Sequence, residues 1–383
     1  MEQLHGWITE YFNQNATHQE IILLLLKNHG KRISHSSLKQ HLRFLGLKRR
    51  NIQESNMHDI CLAIAQEVQS CSGCDLGYRG LWQKLKHTYK LEVKRETVYF
   101  LLSIADPEGM ARRRANRLKR REFNGRGPNW IWSMDGYDKL KPFGFCIHGA
   151  IDGFSRYVLW LRTATTNNNP RVTARYFLEA VANEEGVPTL VRCDDGTENV
   201  VIETLQTSLR DEHEDELSGE RSFIYGPSTH NQRIESYWGQ LRKNSMNFYI
   251  DLFKSMKDEG LFNGREEEKK CLQFCFGHLI QNDLNETREL WNKHHIRKQR
   301  YSTFTGKPCS MYRLPEMYDV EDHKKPVDMR AVHALMEEFT EEPQIYDPDF
   351  AERALAIMPN LVIPTNADEA SDLYCDLKAA MDF

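Results

Sequence analysis

Near residue 130 the apolar pattern of this chain changes period, and that change dictates the kind of core it can build. Upstream, apolar residues recur three and four apart, as in Leu38, Leu42 and Leu45, which is the period of a helix with one buried face. Downstream come three aromatic-rich apolar runs, "NWIWSMDGYDKL", "FGFCIHGAID" and "FSRYVLWLRTA", parted only by short Gly, Pro and Asp turns. Runs so closely joined predict an antiparallel meander. "NPRVTARYFLEAVANEEG" then opens at a proline and stops at a glycine, as a helix does, and "VPTLVRCD" is a fourth strand reached by that crossover. A short helix, the strand "SFIYGP" and a long helix from about Asn231 complete the order. Three strands, helix, strand, helix, strand, helix specifies an α/β layer with a mixed five-stranded sheet and flanking helices, preceded by all-α modules.

This order brings acids together. Asp135 ends the first strand and Asp194 ends the crossover strand that pairs beside it, and ligands of such sheets gather outside strand ends. Glu235 lies one turn into the last helix, where Ile234, Tyr237, Trp238, Leu241 and Phe248 form an apolar stripe and Gln232, Glu235, Gly239 and Arg242 the adjoining polar face. Taken alone, "CDDGTENV" is an ordinary turn, since Asp and Gly are turn formers. Three crowded carboxylates are different, because they repel and their pKa values rise unless cations neutralise them. Two Mg²⁺ or Mn²⁺ ions about 3.5–4 Å apart do this and serve phosphodiester chemistry, and hard oxygen donors select them over zinc. Asp195 is a neighbouring decoy; the strand-end position favours Asp194. Asp152 reads as a turn former, Glu198 as a cap after Gly196, and Asp138 and Lys139 as turn residues. Arg233 and Arg242 flank Glu235 as candidate DNA-backbone contacts, although helix-surface pairing gives the same pattern.

The N-terminal third is basic and helical. "HQEIILLLLKNHGKRISHSSLKQHLRFLGLKRR" breaks at Gly30 and restarts after Ser34 or Ser36, which is helix-turn-helix grammar. Its second helix presents Lys39, Gln40 and Arg43 and is followed by Lys48, Arg49 and Arg50, suited to base edges and phosphates; a helical hairpin with a solvated basic face is the alternative. Residues 57–105 repeat the pattern, closed by Pro107 and Gly109. "ARRRANRLKRREFNGRGP" then carries Arg112, Arg113, Arg114, Arg117, Lys119, Arg120 and Arg121, a density that suits a linker, a nuclear localisation signal or a DNA-facing connector. The net charge of -4 conceals this, for residues 1–130 hold 22 Lys and Arg against 12 Asp and Glu, whereas residues 314–383 hold 5 against 17. One end attracts a polyanion and the other repels it.

Through "WSMDGYDKLKPFGFCIHGAIDGFSRYVLWL", "CDDGTEN", "STHNQRIESYWGQLRKN" and "WNKHHIRKQR", roughly residues 75–315, the chain resembles the DDE integrase and transposase superfamily, in particular integrase core domain proteins derived from eukaryotic transposons. The resemblance implies an RNase H-like catalytic core with Asp135, Asp194 and Glu235 as catalytic and metal-binding acids, and a metal-dependent polynucleotidyl transferase that cleaves DNA and transfers the strand. It also implies a homo-oligomer on DNA. A domesticated DNA-binding regulator on the same fold is the alternative. The 40 residues between Asp194 and Glu235 exceed the retroviral interval, and the excess falls in the acidic insert "RDEHEDELSGE". The expected organisation is a helix-turn-helix module (1–56), a second helical module (57–110), a basic linker (111–128), the catalytic core (129–255), a helical extension (256–313) and an acidic tail (314–383). Composition leaves that tail open as a solvated segment, a partner-docking element or a shield over the basic surface. Cys71 and Cys74, with His58 and Cys61 upstream, have ligand-like spacing, but a lone C-x-x-C is a weak zinc signal. No apolar run reaches the ~18 residues of a membrane span, and no basic, apolar, small-residue leader opens the chain. An intracellular, nuclear protein is expected.

Overall fold

The computed structural model describes residues 2–48, 54–69, 76–114, 126–226, 231–297 and 304–383. Arg49, Cys71, Cys74, Lys119, Arg120, Arg121 and the side chains of Arg112, Arg113 and Arg114 lie outside it. Among the described residues no helix is long and apolar enough to cross a membrane.

The first module has three helices, α1 (Glu2–Asn13), α2 (His18–His29) and α3 (His35–Phe44). Thr17 caps α2 in a reciprocal box with Glu20, Gly30 ends it in the left-handed region at φ 61°, and Ser34 accepts from the Ser37 N–H to start α3. These signals fix the two inter-helix turns, so Leu38 and Leu42 meet Ile8, Tyr11, Ile21 and Leu25 in one small core. The second module comprises α4 (Met57–Gln69), α5 (Tyr78–His87), α6 (Arg95–Ala105) and α7 (Pro107–Arg114). Pro107 thus starts a helix where the sequence pattern suggested a stop. A first-turn proline forfeits no hydrogen bond, and the Asp106 carboxylate accepts from the Gly109 N–H at 2.9 Å.

The sheet consists of β1 (Ile131–Tyr137), β2 (Cys146–Asp152), β3 (Val158–Ala164), β4 (Leu190–Cys193) and β5 (Phe223–Tyr225), in the order β3-β2-β1-β4-β5. The meander β1–β2–β3 is antiparallel, and β4 joins β1, and β5 joins β4, in parallel. Crossover helix α8 (Pro170–Glu184) and α9 (Val200–Leu209) return the chain for the parallel pairs. The arrangement is RNase H-like, a mixed sheet with helices on both faces. Against one face lie Phe177, Val181 and Ile202, packed on Trp132, Met134 and Val191. Against the other lie α10 (Gln232–Leu241), α11 (Asn247–Asp258) and the 28-residue α12 (Glu266–Lys293), whose Ile234, Phe253 and Phe276 cover Tyr137, Ile147 and Leu161. A π turn over Arg242–Met246 joins α10 to α11.

Helix α12 also closes the sheet. Strand β3 is an edge strand, and its outward backbone groups bond to side chains of α12 instead of a sixth strand. Gln281 accepts from the Thr163 N–H at 2.9 Å and donates to the Leu161 carbonyl, and Arg288 donates to the Leu159 carbonyl at 3.0 Å. Asn292 serves both groups of Val158, accepting at 2.8 Å and donating at 3.0 Å. Edge strands without such cover invite pairing with other chains. Asn292→Ala leaves two buried backbone groups unpaired, so we expect a loss of about 3 kcal/mol in urea unfolding and earlier aggregation on heating. An unchanged unfolding midpoint would show that water seals the edge as well as the amide does.

The acidic C-terminal segment is neither a solvated tail nor a loose shield. After α13 (Pro308–Arg313) it forms α14 (Met329–Phe339), α15 (Pro348–Ile357) and α16 (Ala367–Met381). Val332 enters the core on the α8 face, and Phe350, Ala370, Tyr374 and Leu377 enter the core on the α12 face. Its acids meet cations of the core, among them Glu341 with Arg171 at 3.0 Å and Asp347 with Lys270 at 3.1 Å. The acidic insert before β5 is likewise organised, around the fully buried Arg210, which holds both Asp215 oxygens at 2.8 Å.

Candidate active site

Asp135 sits near the end of β1, with one carboxylate oxygen accepting from the Gly136 N–H and the other from the Trp238 indole N–H, each at 2.8 Å. The indole reaches it because Asp135 pairs in register with Gly149 of β2, where a β-carbon would lie 2.8 Å from the Trp238 ring. Only glycine leaves that space. Helix α10 is pinned at its start by Asn231, which donates to the Met134 carbonyl at 2.8 Å, and by Arg233, which donates to the Gly153 carbonyl at 2.9 Å. These ties bring Glu235, on the exposed side of the first turn, over the strand ends. Asp194 is half-buried one residue beyond β4, and buried Asn199 points its amide N–H at both the Asp194 carbonyl and carboxylate, at 3.4 Å.

Asp135 and Glu235 both feel the charge of Asp194. Burial pushes Asp135 up to about 7; the Trp238 N–H opposes this, and the charges of Asp194 and Glu235 reinforce it. Glu235 is raised too, first by desolvation and then by Asp194, while Lys139 pulls it down. Asp194, and not Asp195, is the partner in both cases; Asp195 is exposed and its charge acts instead on Tyr225. Among the described residues no three His, Cys, Asp or Glu side chains converge into a ready-made cation cage. The donor set is nevertheless all hard oxygen and short of positive charge, which fits a hard divalent cation and not zinc. These acids are the residues that would hold it.

Asp135 gives a stability signature. Its folded pKa exceeds the ordinary value, so as pH rises from about 4 to about 7 the unfolded chain releases this proton first and the metal-free fold loses stability. Asp135→Asn removes that slope. In chelator near pH 8 the variant should exceed the native protein by roughly 1–3 kcal/mol, the advantage vanishing near pH 4. Parallel stability–pH curves for the two proteins would show that folding does not raise the proton affinity of Asp135.

The remaining sequence candidates are distributed unevenly. Lys39, Gln40 and Arg43 are exposed along α3, away from its buried leucines. Arg242 is exposed at the start of the π turn and donates to the Asn247 side chain at 3.1 Å, whereas Arg233 is half-buried and occupied in the tether described above. Asp152 is buried and accepts from the Asn129 N–H and from both the Ser155 N–H and hydroxyl, so it organises the β2–β3 turn. Cys271 and Cys275 are buried in the core, and His278 lies edge-on to Tyr346. Trp238, Gly149, Asn199 and Asn231 are site residues that the sequence pattern did not single out.

No curated protein sequence matches the chain. A solved simian T-cell lymphotropic virus intasome in complex with PP2A regulatory subunit B56 gamma is similar at 16% identity and a TM-score of 0.35, covering 69% of this chain and 79% of that one. The family model described as integrase core domain matches residues 123–319, a span that contains the whole sheet, all three acids and helix α12. By that match, over more than half its length, the chain belongs to the integrase core domain family.

Proposed function

We propose that the protein is a polynucleotidyl transferase that cleaves a DNA strand and joins the freed 3′-OH to a second DNA, with Asp135, Asp194 and Glu235 as its catalytic acids. The observation that carries this reading is that β1, the end of β4 and the first turn of α10 bring three acids to one end of the sheet, where burial first and the charge of Asp194 second raise the proton affinity of Asp135 and Glu235. A pair of Mg²⁺ or Mn²⁺ ions held there would supply activation of the attacking oxygen and charge stabilisation at the leaving one. The chain's own part is positional. Trp238 and the Gly136 N–H orient the Asp135 carboxylate, Asn199 orients Asp194, and Asn231 keeps Glu235 over the strand ends. DNA is held by the exposed face of α3 and by the basic run from Arg112 to Arg121, which also serves as a nuclear address. One centre joins one 3′-OH to a target, so joining both ends of a DNA element calls for two such centres, hence a homo-oligomer assembled on DNA.

The test is nicking and strand transfer on DNA flanking the gene, with Mg²⁺, Mn²⁺ or Ca²⁺. Product with the first two and none with Ca²⁺ is the expected result; absence of product in every metal would sink the catalytic reading. The second reading, a DNA-binding regulator without catalysis, is favoured by one fact, the lack of a closed cation cage among the described residues. Binding to DNA without turnover would select it.

A further inference from the structure

The second helical module shares no apolar core with the sheet. Its own core, built on Ile60, Leu81, Val98 and Leu102, contains no residue of the sheet or of α12, and the core on the α12 face contains none of the module. A cavity of about 620 Å³ parts Arg79 and Gln83 of α5 from Gln240, Asn244 and Trp291. Across this seam reaches one carboxylate. Glu286 of α12 lies 2.7 Å from the Lys84 ammonium and accepts from the Thr88 hydroxyl at 3.2 Å. Lys84 is buried and also holds Glu67 of its own module at 2.9 Å, whose other oxygen accepts from the Tyr89 hydroxyl. Around the latch the seam gathers like charges. His87, the last residue of α5, is pushed down to about 4, first by burial and then by Lys293, Lys90, Lys86 and Lys307, which come from both sides. Lys86 and Lys293 are answered by acids of their own bodies, Glu92 at 3.4 Å and Glu289 at 2.9 Å, whereas Glu286 answers a lysine across the seam.

We propose that Glu286 is an autoinhibitory latch that stands in for a DNA phosphate. It holds the module on α12 by occupying the cationic end of α5, and DNA that takes over Lys84, Lys86 and Lys90 releases the module. The latch opens without unfolding either body, since Lys84 keeps its bond to Glu67 and neither apolar core is cut. A carboxylate and a phosphate offer an ammonium the same charge-assisted bond, and a DNA strand brings many phosphates where α12 brings one acid. A permanent joint calls for a broad apolar interface, and here a cavity takes its place. The competition with DNA rests on the function proposed above; the latch itself does not.

The experiment pairs small-angle X-ray scattering of the DNA-free, full-length protein with fluorescence anisotropy on a blunt duplex, both in chelator at low salt. Glu286→Lys, with its fold checked by circular dichroism, should enlarge the radius of gyration and tighten duplex binding by at least about fivefold. Glu286→Gln should shift both in the same direction by less. Asp376→Lys makes the same charge change at an exposed acid of α16, and it should leave the radius as it is and tighten binding by less than about twofold. An unchanged radius in Glu286→Lys overturns the latch. An equal gain in Asp376→Lys overturns the competition with DNA, because added charge then explains the gain, and so does expansion of a DNA-binding protein without any gain. Expansion of a protein that binds no DNA keeps the latch and removes the function proposed above.

Discussion

Changing Asp135, Asp194 or Glu235 singly to its amide lowers DNA cleavage and joining by about a thousandfold or more, the scale on which loss of one member of a catalytic unit acts. Each substitution deletes a carboxylate oxygen from a cluster in which the charge of Asp194 acts on both Asp135 and Glu235. DNA affinity should stay within a few-fold, because the exposed basic residues of α3 are untouched. Asp195→Asn is the internal control. Its side chain is exposed and is not among the charges that act on Asp135 or Glu235, so activity should hold within about threefold; loss of activity there, with Asp194→Asn unaffected, would move the assignment by one residue. Trp238→Phe keeps the ring but removes the N–H that lowers the proton affinity of Asp135. The acid limb of the pH–rate profile should therefore move to higher pH, a change that loss of packing alone would not produce.

Ending the chain after Arg313 should abolish cooperative folding. Deletion removes Val332 from one core and Phe350, Ala354, Ala370, Leu373, Tyr374 and Leu377 from the other. Burying a large apolar side chain contributes about 1.5–3 kcal/mol, so the sum meets or exceeds the whole stability of an ordinary domain, about 5–15 kcal/mol. Calorimetry should show no unfolding peak, or one lowered by more than about 10 °C, together with strong dye binding to exposed apolar surface. Were the segment only a charged screen, the shortened protein would melt normally and bind DNA more tightly. Tyr374→Ala, a milder probe, should cost about 3–5 kcal/mol through loss of the ring and of its bond to the Leu261 carbonyl.

The sheet was legible because its strands are apolar on both faces and its turns are short, and Asp135 and Asp194 were legible because strand ends can be counted. The C-terminal helices were harder to read. Their apolar stripe, Ala370, Leu373, Tyr374 and Leu377, has the spacing of a buried face, but 17 acids in 70 residues suggested solvent; most of those acids stay exposed on the outer faces, which is why the apolar faces can be buried. Helix α1 likewise carries Ile8 and Tyr11 at helical spacing, yet its burial depends on α2 and α3 being closed over it. Trp238 was assigned to the core by its period, and that is correct for its ring. Its N–H belongs to the site, which only the register of Asp135 with Gly149 reveals. Gln281, Arg288 and Asn292 look in sequence like the solvated face of a long helix, and a polar face that meets an open strand cannot be told from one that meets water.

That long helix sets the terms on which copies of this protein can meet. Since the outer strand of the meander already has its backbone partners, a neighbouring molecule gains nothing by laying a strand alongside it. Sheets of separate copies therefore do not fuse there into a continuous ribbon. Under the proposed function, copies that gather on DNA would touch elsewhere than along that strand, around a central slab. The distance between two reacting ends is then governed by the surfaces that meet and by the DNA path, and it can be adjusted by changing either without disturbing the slab that carries the acids.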